Sequence, residues 1–143
     1  MTAPHRDHSI VVLAYPGIQA LDLTGPHEVF AAANEVADRY GVGGLRYRLR
    51  IVGSSDDNAA TDGTTTGESV AIVTESGLRL SVDPLPEPST VDGEVDTLLI
   101  PGGTGSRTLE AGGPIIDWVR RVGAGAGRVA CVCTGAFVAA EAG

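Results

Sequence analysis

Val129-Ala130-Cys131-Val132-Cys133-Thr134-Gly135-Ala136 decides how this chain is read. Four small or β-branched apolar residues form a short strand, Val129 to Val132, read as buried on both faces. Small residues follow at once, and a last helix opens at Thr134-Gly135-Ala136 and runs from Phe137 to Ala142. Cys133 is therefore the residue at a sharp strand-to-helix turn. Such a turn presents its side chain to the crevice at the end of a sheet. The partial positive charge at the start of a helix favours an anion there. Cys133 is read as a nucleophile-type cysteine, and Cys131, one residue before it in the strand, as a small core residue. A Cys-x-Cys pair is too close for an ordinary structural disulfide, and two thiolates fall short of a tetrahedral zinc site.

Working back toward the N-terminus, the same order of strand, turn and helix recurs. Ser9 to Tyr15 is an apolar, β-branched run, a buried strand closed by Pro16-Gly17. Pro26 to Tyr40 is expected to be a helix, with Gly25 as N-cap, Pro26 in the first helical position and Glu28 near its start. Its apolar stripe is Val29, Phe30, Ala33, Val36 and Ala37, and Gly41 stops it. Tyr47 to Val52 alternates and predicts a strand with one partly solvated face. Gly53 to Ser69, rich in Ser, Asp, Thr and Gly, predicts an exposed loop. Val70–Thr74 and Leu78–Val82 flank Glu75-Ser76-Gly77 as a small hairpin. Asp83 to Gly93 carries three prolines and is an irregular connection. Thr97 to Ile100 is a buried strand ended by Pro101-Gly102-Gly103, and a helix runs from Pro114 to Val122 before the glycines from Gly123 to Gly127.

This order gives an α/β fold, a mostly parallel, doubly wound, flavodoxin-like sheet with helices on both faces and a small β-hairpin. Ligands of such sheets bind at the carboxyl ends of the strands. Three features fall on that edge: the turn after Tyr15, Gly102-Gly103 and Cys133. The glycine N–H groups can face a ligand and make an oxyanion hole. Asp22, between two leucines in the loop after the first strand, can share a proton with a neighbouring thiolate. His27 is placed near the start of the first helix, and His5 and His8 in the N-terminal tail. No histidine follows residue 27, so a Cys–His pair is hard to assemble.

Composition narrows the function classes. The chain has 143 residues, one domain's worth, and is 43% hydrophobic with a formal net charge of −8. An acidic segment does not grip a phosphate backbone, so no direct nucleic-acid contact is expected. No apolar run approaches the ~20 residues of a membrane span. The polar N-terminus lacks a signal core, and the cytoplasm is the default location.

Three blocks resemble the DJ-1/PfpI superfamily, in the superfamily's order and over nearly the whole chain: Tyr15 to Phe30, Asp96 to Gly103 and Arg128 to Gly143. The resemblance implies a reactive cysteine at Cys133 and an acidic partner at Asp22 that hydrogen-bonds it. It implies a ligand-binding, oxyanion-side backbone at Gly102 and Gly103, with Thr134 supplying the adjacent N–H. It implies no cofactor and no metal. Two branches fit. The stretches Phe30-Ala-Ala-Ala-Asn34, Tyr47 to Val52 and Thr74 to Leu78 look more like the N-terminal, effector-sensing domain of AraC-type transcriptional regulators. There DNA would be contacted by a C-terminal helix-turn-helix domain that this chain lacks. The second branch is isonitrile hydratase, which uses a cysteine and an aspartate to add water to an isocyanide. In either branch the partner is a small-molecule effector or substrate, and relatives tend to form homodimers. Residues 1–143 are accordingly expected to be a C-terminally truncated domain, ending after the elbow helix and marginally stable because later strands are missing.

Overall fold

The parallel strands start from the run Ile10 to Ala14, whose five residues are nearly inaccessible to solvent. In the computed structural model, which describes residues 6–42, 44–55, 69–91 and 93–143 (Arg6 by its backbone alone), this run is the middle of β1, Arg6–Ala14. The described elements continue with α1 (Ala20–Tyr40), β2 (Leu45–Gly53), β3 (Val70–Val73), β4 (Arg79–Pro84), β5 (Thr97–Ile100), α2 (Pro114–Gly125), β6 (Arg128–Cys131) and α3 (Gly135–Ala142). Short 3-10 turns lie at Pro88–Thr90 and Thr104–Arg107. The six strands form one sheet in the order β3-β4-β2-β1-β5-β6. Every described pairing is parallel except the β3–β4 hairpin. This is the α/β, mostly parallel, flavodoxin-like architecture that the sequence predicts.

Helices cover both faces. Gly123 of α2 lies against the side chains of Leu98 and Val129. The alternate strand residues, Tyr47, Thr97, Leu99 and Ala130, face the side that carries Phe30 of α1. The core joins both sides of β1 and β5 to Ile115, Ile116, Trp118, Val119 and Val122 of α2 and to Val138 of α3. Trp118 donates its indole N–H to the carbonyl of Pro86 (2.8 Å), tying α2 to the irregular segment before β5.

Several details differ from the sequence reading. α1 begins at Ala20, not Pro26, so Pro26 sits inside the helix and Asp22 occupies its first turn rather than a loop. Tertiary contacts override the proline signal: Gln19 N–H donates to Gly102 O (2.8 Å), and Leu23 is driven into the core. His27 consequently lies mid-helix, beside Glu28. The expected stripe of α1 is not its buried face, since Val29 and Val36 are more than half exposed. The helix is fixed instead by Asn34, whose side-chain amide donates to Tyr47 O (2.8 Å) and accepts Tyr47 N–H (2.9 Å). β4 meets β2 only at Val52 and Gly53, so it does not reach Tyr47.

His8 is not in a tail but in β1. Its Nε2 is 3.0 Å from Thr97 Oγ1, and its ring meets Tyr47 edge-on. His5 falls outside the described residues, as does most of the loop expected over Gly53–Ser69, residues 56–68. α2 continues through Gly123 to Gly125 because its last turn packs over β5 and β6. β6 is not a buried strand. It is the edge of the sheet, and Arg128, Val129 and Cys131 are exposed, which also corrects the core placement of Cys131. Among the described residues, no helix is long and apolar enough to cross a membrane.

Candidate functional site

At the carboxyl ends of β1, β5 and β6, three turns converge. Cys133 has φ +52°, which makes it the one non-glycine residue in the left-handed region among the described residues. An L-residue in this region carries roughly 1–3 kcal/mol of strain, which persists only where the surroundings hold it. Two constraints hold Cys133. Val132 N–H bonds to Ile100 O (2.9 Å), continuing the β5–β6 ladder to the edge of the turn. Immediately after it, Gly135 starts α3 so close to β5 that a Cβ there would lie 2.1 Å from Ile100 O. The chain must reverse within two residues, and Cys133 is left exposed.

Gly102-Gly103 form the second turn. Gly103 has φ +122°, and a Cβ on it would fall within 2.6 Å of three backbone atoms of Gly17, Ile18 and Gln19, so only glycine fits. Gly102 lets Thr134 N, Thr134 Oγ1 and Asp22 Oδ2 all close on its Cα. The resulting hydrogen bonds are specific. Gly102 N–H donates to Asp22 Oδ2 (3.2 Å), and Gly103 N–H donates to Thr134 Oγ1 (2.9 Å). Thr134 Oγ1 in turn lies 3.2 Å from Gly103 O. Ser106 Oγ lies 2.7 Å from Gly103 O and 3.0 Å from Thr134 Oγ1. The two glycine N–H groups expected to face a ligand are thus paired within the turn cluster in this conformation. Asp22 likewise makes its contact with Gly102 N–H.

The structure brings Asp22, Gly102, Gly103, Cys133 and Thr134 into one neighbourhood. Tyr15, at the end of β1, reports on it from below. Its hydroxyl donates to Pro101 O (2.5 Å). It holds its proton well above the ordinary tyrosine value, chiefly through burial and then through the negative charges of Asp22, Cys133 and Cys131. Partial burial also pushes the Cys131 thiol up, although the residue is exposed. His8, near the start of β1, and His27, midway along α1, are not among these residues.

Above the turns lies a cavity of about 290 Å³ lined by Gln19, Glu75, Gly103, Thr104, Arg107, Cys133 and Thr134. Two of these residues carry a charge, and the sequence reading missed both. Glu75 sits in the β3–β4 hairpin turn and Arg107 in the 3-10 turn after β5. A glutamate in a hairpin turn reads as solvated surface, and nothing local reveals that the turn folds over the sheet edge. Gly17 N–H donates to Val73 O (2.8 Å), Glu75 N–H to Ile18 O (3.0 Å) and Thr104 N–H to Glu75 Oε2 (2.9 Å). Among the described residues, no cluster of three or more His, Cys, Asp or Glu is placed to hold a metal ion.

A cysteine at a strained strand-to-helix elbow, an acidic residue beside a glycine turn and a parallel sheet beneath them define a class of α/β domains. The chain belongs to the DJ-1/PfpI family, whose pattern matches residues 8–143. It is 35% identical to a protein from the cpoL 5′ region of Streptomyces lividans, over its own full length and 84% of that protein. It is 53% identical over 49 residues to the HTH-type transcriptional regulator Rv1931c of Mycobacterium tuberculosis, spanning 34% of this chain and 19% of that one. It is 28% identical over 131 residues to isonitrile hydratase of Pseudomonas putida, covering 92% of this chain and 46% of the enzyme. The crystal structure of an AraC family transcriptional regulator from Pseudomonas putida shares the fold, with a TM-score of 0.64 at 15% identity, over 94% of this chain and 60% of that one. The chain therefore spans less than two thirds of the regulator, the hydratase and the solved structure it resembles.

Proposed function

We propose that this chain is the effector-sensing part of an AraC-type transcriptional regulator, residues 1–143 forming a portion of its DJ-1/PfpI domain. The observation that carries this reading is the 53% identity over 49 residues with the HTH-type regulator of Mycobacterium tuberculosis. The site is compatible with it. The cavity beside Cys133 would hold a small effector against Gly103 and Thr134, and among the described residues no histidine lines it as a partner for the thiol. The net charge of −8 leaves DNA contact to a separate domain. The test is to read the genomic sequence downstream of Gly143. A helix-turn-helix coding sequence in any frame supports the reading, and its absence overturns it.

A second reading is favoured by the 28% identity over 131 residues with isonitrile hydratase. Here the Cys133 thiol adds across the isocyanide carbon, its sulfur bonding to that carbon and its proton passing through Asp22 to complete a thioimidate. Water then adds to the same carbon, the C–S bond breaks, the thiol regains a proton and an N-formamide leaves. Formamide production from a panel of isocyanides, lost in Cys133→Ala, would establish this reading. No turnover across the panel would remove it.

A further inference from the structure

The cavity beside Cys133 holds two opposite charges that do not pair. Glu75 and Arg107 both line it, from different turns, and among the described residues neither makes a salt bridge. Elsewhere, side chains within reach do pair: Arg39 with Glu35, Arg46 with Asp38, and Arg120 with Asp117. Glu75 and Arg107 are each held by a neutral neighbour. Glu75 Oε2 accepts Thr104 N–H (2.9 Å). The Arg107 guanidinium stands 5.2 Å from the centroid of the Phe137 ring, on the first turn of α3. The Thr104 contact occupies one oxygen of Glu75 and leaves the other for a donor. The ring contact leaves the edge of the guanidinium, with its N–H groups, for an acceptor. Between them lies about 290 Å³, at the small end of the range for ligand pockets.

From this arrangement we infer that the cavity binds a small zwitterion, its carboxylate on Arg107 and its protonated amine on Glu75, with Gly103 and Cys133 beneath. The separated charges are the basis. Glu75 and Arg107 are both exposed at the mouth of the cavity, so a ligand with one charge leaves one of them to solvent, whereas a zwitterion meets both and adds no net charge. Gln19 supplies a further polar lining group. This inference rests on the ligand-binding reading of the site and names its ligand class, whichever of the two proposed functions the cavity serves.

The test is calorimetric titration of the full chain with β-alanine, 4-aminobutyrate and 6-aminohexanoate, a series in which the distance between the charges grows. Butyrate and butylamine serve as the two halves. The expected result is that one member of the series binds at least about tenfold more tightly than either half, a difference of about 1.4 kcal/mol. Arg107→Gln should bind that member no better than butylamine. Glu75→Gln, which keeps a carbonyl oxygen for Thr104 N–H, should bind it no better than butyrate. If either half binds as tightly as the best zwitterion, or if the whole series fails to bind at about 10 mM, the inference is overturned. So is a Glu75→Gln variant that retains full affinity, which would reduce Glu75 to a tether of the Thr104 turn. Zwitterion binding by a chain with no helix-turn-helix coding sequence downstream and no isocyanide turnover would leave this inference standing and remove the proposed functions. A downstream helix-turn-helix domain, or isocyanide turnover, with no zwitterion bound would do the reverse.

Discussion

β5 and β6 are neighbours, each four residues long, and the sequence reads both as buried strands. In the fold, Thr97–Ile100 is buried at all four positions and Arg128–Cys131 is exposed at three. The difference lies in what covers them. β5 is flanked by β1 and β6, with α2 over one face. β6 ends the sheet, and beside α1 the strands open into a trough of about 570 Å³ lined by residues that include Phe30, Tyr47, Leu99, Arg128 and Ala130. An apolar run in a parallel sheet records the cover a strand favours. It does not record whether anything lies on it.

The comparison can be broken at several points. The largest effect is expected where α3 leans on the end of β5. Gly135→Ala would place a methyl group 2.1 Å from Ile100 O, and the variant should lose about 3 kcal/mol or more, read from urea unfolding followed by circular dichroism. An unfolding midpoint equal to wild type would mean that the elbow is not anchored on β5. Next come the strands themselves. Leu98→Ala, fully buried, should cost about 3 kcal/mol. Val129→Ala, at the register partner position and 42% exposed, should cost less than about 1 kcal/mol. Equal losses would erase the distinction between covered and open strand.

A smaller effect sharpens the link between β1 and β5. Tyr15→Phe removes the hydrogen bond to Pro101 O and should cost about 1–2 kcal/mol at neutral pH. The pH dependence has a definite sign. In the fold Tyr15 holds its proton more tightly than an ordinary tyrosine, whose value is near 10.0. Its contribution is therefore complete below pH 10 and is lost as pH rises further, because the unfolded chain ionises first. Thermal melts above pH 10 should fall more steeply for wild type than for Tyr15→Phe, and parallel curves would contradict the burial of this hydroxyl. The smallest effect is at the elbow. Cys133→Gly relieves the left-handed backbone, so it should be more stable than Cys133→Ala by about 1 kcal/mol. Differential scanning calorimetry of the two variants would detect it, and identical melting temperatures would show the turn to be unstrained.

Turns punctuated by glycine and proline were legible in the sequence because their physics is local. Pro16-Gly17, Pro101-Gly102-Gly103 and Thr134-Gly135 each end or begin an element where a side chain would clash, and these turns locate the carboxyl edge of the sheet. Asp22 was placed beside the other site residues but in the wrong element, because Pro26 looks like a first helical residue until Gln19 and Leu23 are seen to be fixed by distant strands. Periodicity assigned α1 the wrong buried face for a similar reason: a polar residue, Asn34, holds the helix to β2. Glu75 and Arg107 could not be found at all. They lie 32 positions apart, and only the folding of the hairpin over the sheet edge brings them to one space.

The turns around that space are joined in part through their backbones. Gly17 bonds to Val73, Gln19 to Gly102, Glu75 to Ile18, and Gly105 to Gly17, each by an amide and a carbonyl. These backbone links do not depend on which side chains the turns display. Descendants of one ancestral chain could exchange the groups at Gln19, Glu75 or Arg107 and acquire a new chemical taste while inheriting the same mould, with the thiol of Cys133 as its fixed point.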